Sequence, residues 1–70
     1  MQDGIYAVVK QYATSWYYRP NDFDKIYDKM MEVTDGDHEI SSDAASWCEL
    51  ATEGEIYTFR EGEIEIMDMP

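Results

Sequence analysis

DGIYAVVKQYATSWYY, residues 3–18, fits both a helix and a strand, and the two lead to different architectures. Read as a helix capped by Asp3 and running to about Tyr17, it sets Ile5, Val8, Val9, Tyr12 and Trp16 at helical spacing, with Lys10, Gln11, Thr14 and Ser15 opposite. Its Thr-Ser-Trp-Tyr-Tyr ending favours a strand instead, because β-branched and aromatic side chains suit a pleated surface. As one strand, however, the segment puts Val9, Gln11 and Ser15 on one face and Val8, Lys10 and Trp16 on the other, which sorts apolar from polar poorly. The spacing therefore predicts a helix, with a strand as the competing reading.

Further along, Pro20-Asn21-Asp22 reads as a helix start, Asn21 being placed to accept from the amide of Asp24. Phe23, Ile26, Tyr27, Met30 and Met31 then form one apolar stripe, with Asp22, Lys25, Asp28, Lys29 and Glu32 on the wet side. Thr34-Asp35-Gly36 ends this helix, and Gly36 suits a left-handed cap. Ser41 or Ser42 opens a third helix, Asp43 in its first turn complementing the helix dipole. Ala44, Trp47, Cys48 and Ala51 are its buried stripe, and Gly54 closes it. Residues 55–60 and 63–67 read as a hairpin about a Glu61-Gly62 turn, pairing Phe59 with Ile64 and Tyr57 with Ile66. That arrangement gathers Tyr57, Phe59, Ile64 and Ile66 on one face and leaves Thr58, Arg60, Glu63 and Glu65 on the other. The expected fold class is α+β: three short helices, the first in competition with a strand, packed on a C-terminal antiparallel β-hairpin as a single domain over residues 1–70.

A chain of 70 residues buries only about 60% of the surface it exposes when unfolded. Trp16, Trp47, Phe23, Phe59 and six tyrosines supply large apolar areas for that small core. Cys48 is the one cysteine, so no intrachain disulfide or cysteine-based zinc spacing is available, which suits a reducing compartment. The Met1-Gln-Asp-Gly start has no signal-peptide character, and no apolar run reaches the roughly 20 residues a membrane helix needs. The expectation is a soluble, cytoplasmic protein.

Charge is the most informative compositional feature. The net charge is −11, yet residues 1–31 balance four acids with four bases. Residues 32–70 set twelve acids against Arg60 alone. Such a field repels phosphates and anionic membranes and attracts a basic protein surface. Trp47, Tyr57, Phe59 and four isoleucines distinguish this segment from a disordered acidic tail.

Candidate chemistry is sparse. His38 lies among Asp35, Asp37, Glu39 and Asp43, where a solvated histidine outweighs an acid–base catalyst. Cys48 has no partner for a dyad and faces the expected core, so no catalytic residue and no enzymatic activity are assigned. Asp35 to Asp43 alternates oxygen donors like a calcium loop, but Ile40 stands where such a loop needs glycine and Ser46 where it needs glutamate. No metal site or cofactor is expected. Tyr17 and Tyr18, beside Arg19 at an element end, are secondary candidates for partner binding. The primary candidates are Asp35, Asp37, Glu39, Asp43, Glu61, Glu63 and Glu65, carboxylates spaced along elements that would hold them in a row resembling phosphates.

Ala44-Ala-Ser-Trp-Cys-Glu-Leu-Ala-Thr-Glu-Gly-Glu-Ile-Tyr57, with the Ile/Glu alternation after it, resembles a segment of short, acidic, uncharacterised proteins of Firmicutes and their phages. The resemblance covers about the C-terminal third and brings no catalytic or ligand-binding residues with it. In size and charge the chain is also similar to DNA mimics and anti-CRISPR inhibitors. These readings imply a small acidic inhibitor, encoded by a phage or mobile element, that blocks a basic nucleic-acid-binding surface such as that of a nuclease. Neither direct nucleic-acid binding nor membrane binding is expected, and the chain would be a monomer or a weak homodimer. The alternative is a structural or regulatory interaction module using an apolar aromatic patch around Tyr17 and Tyr18. A third reading, an enzyme subunit, would need a partner to complete its site.

Overall fold

The computed structural model describes residues 4–68, so the expected Asp3 cap lies outside the described residues. Strands β1 (Ile5–Gln11) and β2 (Thr14–Tyr18) are followed by helices α1 (Phe23–Val33) and α2 (His38–Leu50) and by strands β3 (Ile56–Phe59) and β4 (Gly62–Asp68). The strands form one antiparallel sheet in the order β2-β1-β4-β3. Ala7, Val9, Ile64, Ile66 and Phe59 face Ile26, Met30, Val33, Ala44, Ala45 and Cys48 in the core, so both helices cover the same side of the sheet.

The first predicted helix is therefore replaced by a hairpin, and the reason is geometric. Gln11 pairs with Thr14 across a two-residue turn, Tyr12–Ala13. Crossing such a turn switches the inward positions from odd to even, so Ile5, Ala7 and Val9 share the helix side with Trp16 and Tyr18. Testing residues 4–17 as one continuous strand misses that switch. Tyr12, expected on a buried stripe, is instead 96% exposed at the turn, with a positive φ of 55° that a tyrosine adopts only under strain.

The expected stripe forms over Phe23, Ile26, Tyr27 and Met30, with Ile26 and Met30 fully buried, but Met31 is not packed on the core and Val33 completes the buried face instead. Its cap differs from expectation. The Asp22 amide donates to the Arg19 carbonyl at 3.0 Å, and this turn puts Asp22 at the cap position with Asn21 one residue too early. At the other end Asp35 and Gly36 adopt positive φ values, and the Gly36 amide donates to the Met31 carbonyl at 2.8 Å, terminating α1. Thr34 ties this corner down: its hydroxyl donates to the Met30 carbonyl at 2.6 Å and accepts from the Asp37 amide at 3.1 Å.

Asp37, rather than Ser41 or Ser42, caps the next helix, accepting from the Ile40 amide at 3.0 Å. The helix thus opens three residues before Ser41, which is buried and donates back to the Asp37 carbonyl at 2.7 Å. It ends at Leu50 rather than at Gly54.

The C-terminal hairpin turns at Arg60–Glu61, pairing Phe59 with Gly62, Tyr57 with Ile64 and Ile56 with Glu65. The expected register is displaced by two residues, and because side chains alternate with period two the same four apolar residues still face inward. Gly62 is a place of close approach. A β-carbon there would lie 2.1 Å from the Lys10 carbonyl oxygen on the neighbouring strand.

Candidate functional site

The sheet order converts the charge division of the sequence into a division in space. Lys10, Arg19, Lys25 and Lys29 belong to β1, the end of β2 and α1. From Asp35 to Asp68 there are eleven acids and one base, Arg60, and they lie on and around α2, β3 and β4. Since α2 packs on β3 while α1 packs on β1, this acidic segment occupies one side of the molecule in both layers.

Within it the candidate carboxylates form two groups on opposite faces of the sheet. Asp35, Asp37, Glu39 and Asp43 are exposed around the start of α2, on the helix side. Glu63 and Glu65 alternate with the inward Ile64 and Ile66, so they lie on the open face. Two residues of β4 rise about 6.8 Å, close to two phosphate steps of one DNA strand at about 3.4 Å each. Glu61 sits in the turn at the end of the same strand.

Several of these carboxylates are committed to the fold. Asp37 is the α2 cap. Asp43 accepts from the Tyr57 hydroxyl at 2.8 Å, joining α2 to β3, and burial followed by this bond pushes the Tyr57 phenol up to about 12. Glu65 pairs with Lys10 at 2.6 Å, and that bond raises the lysine above its ordinary value. Asp35, Glu39 and Glu61 carry no such duty in the bonds above, and Glu63, opposite Lys10 across the sheet, adds through its charge to the rise of that lysine.

His38 begins α2, exposed, with its Nδ1 hydrogen-bonded to the Tyr27 hydroxyl and its ring edge-on to that tyrosine. Residues 38–43 are helical, so the alternating oxygens of Asp35–Asp43 do not form a loop around a cation. Among the described residues no three His, Cys, Asp or Glu side chains are grouped to hold a metal ion. Cys48 is fully buried, and burial pushes its thiol up to about 12, so it remains protonated as a small apolar group.

Tyr17 and Tyr18 point to opposite faces. Tyr18 packs against the core, while Tyr17 is half exposed on the open face. Across that face Tyr17, Val8, Glu65 and Ile56 stand in register. Tyr6 carries the Arg19 guanidinium 4.4 Å above its ring. Sequence reasoning missed Tyr12, which lines a shallow depression with Lys10, Phe59, Arg60, Glu61 and Glu63 where the two hairpin turns meet. No glycine or asparagine marks its turn, so the sequence offered no signal for it.

No helix among the described residues is long and apolar enough to cross a membrane. Compared with known proteins, the chain matches no family model, no curated protein and no solved structure.

Proposed function

We propose that this chain is a small acidic inhibitor that inserts its α2–β3–β4 side into a basic nucleic-acid-binding surface. The observation that carries this reading is the gathering of eleven acids against Arg60 on both faces of one side of the sheet. Such a wedge presents carboxylates to both walls of a basic cleft, and its field accelerates encounter with cationic surfaces. Its size and charge accord with the DNA-mimic and anti-CRISPR inhibitors of phages and mobile elements.

Binding should be lost when Glu39, Glu61 and Glu63 are together replaced by lysine, because these exposed or half-exposed carboxylates hold no hydrogen bond of the fold, Glu63 acting only through its charge beside Lys10. The test is capture from a bacterial lysate on the immobilised chain, eluted by a salt gradient. Nucleic-acid-binding proteins should leave at modest salt, and the triple variant should bind each purified one about tenfold or more weakly at low ionic strength. Capture that resists salt and survives the triple replacement would refute the proposal.

A second reading has one observation in its favour: Tyr17 and Ile56, each about half exposed, flank Val8 and Glu65 on the open face of the sheet. A partner using that face would bind through apolar contact, persist in high salt and be lost with Tyr17→Ala.

A further inference from the structure

We draw no further inference here: the strongest candidate, the shallow depression beside the exposed Tyr12 where the two hairpin turns meet, sets Lys10 and Arg60 against Glu61 and Glu63, so its charges balance and nothing in the structure shows what would fill it.

Discussion

β1–β2 and β3–β4 are both antiparallel hairpins closed by two-residue turns, yet one is spelled Ala-Val-Val-Lys-Gln around Tyr-Ala and the other Tyr-Thr-Phe around Arg-Glu, followed by Glu-Ile-Glu-Ile. The C-terminal hairpin alternates because one face meets the helices and the other meets solvent. β4 is as central in the sheet as β1, but on β1 the open-face position is itself apolar and buried, so Ala7, Val8 and Val9 form one buried run although Val8 faces away from the helices. A central strand covered on both sides loses its alternation, and a short apolar run is then hard to tell from a helix. The two hairpins also differ in charge: β1–β2 carries Lys10 and no acid, whereas β3–β4 and its turn carry Glu61, Glu63, Glu65 and Asp68 against Arg60.

The largest effects should come from testing that burial pattern. Ile64→Ala should lower stability by about 3–4 kcal/mol, while Glu63→Ala next to it changes it by about 0.5 kcal/mol or less. In β1 the alternation should fail, with Val8→Ala and Val9→Ala each costing about 2 kcal/mol. Urea unfolding of the four variants measures this. A harmless Val8→Ala would mean that the open face is wet at its centre.

Alkaline titration probes the acidic side further. The Cys48 thiol is pushed from an ordinary 9.0 to about 12, first by burial and then by Glu49, and the Tyr57 phenol from 10.0 to about 12. Both groups ionise earlier in the unfolded chain, so their stabilising contribution is complete below about pH 9 and declines as pH rises toward 12. Thermal unfolding midpoints should fall across that window, and Cys48→Ala should remove the first part of the decline. A midpoint that is constant from neutrality to about pH 11 would contradict the burial of both groups.

The smallest effect lies in the turns. Tyr12 holds a left-handed conformation that glycine adopts freely, so Tyr12→Gly should stabilise by about 0.5–1 kcal/mol. Glu61 has no positive φ, and Glu61→Gly should destabilise slightly. Equal signs for the two substitutions would remove the distinction between the turns.

These contrasts also explain what the sequence could convey. The α1 stripe and the apolar face of β3–β4 were legible because each keeps one period and one buried side. The N-terminal hairpin was not: its turn has no glycine or asparagine, its first strand has no alternation, and the parity switch at Tyr12–Ala13 imitates helical spacing. Asp37 was visible as an acid but not as a cap, since Ser41 and Ser42 are equally good capping residues and only the tight Thr34–Asp37 corner fixes the start of α2. The acidic segregation was plain in the sequence. That it divides between two faces, with Asp37, Asp43 and Glu65 engaged in the fold, depended on strand order and register.

The proposed function requires that the acidic side, and not the uncharged β2 edge, meet a cationic partner. Titration of the chain with a ten-residue polyarginine peptide, followed amide by amide at low and at physiological salt, tests it directly. Shifts concentrated at residues 35–43 and 55–65, weakening steeply as salt rises and leaving 12–18 unmoved, are the predicted result. Shifts centred on residues 12–18, or spread evenly and insensitive to salt, would contradict it.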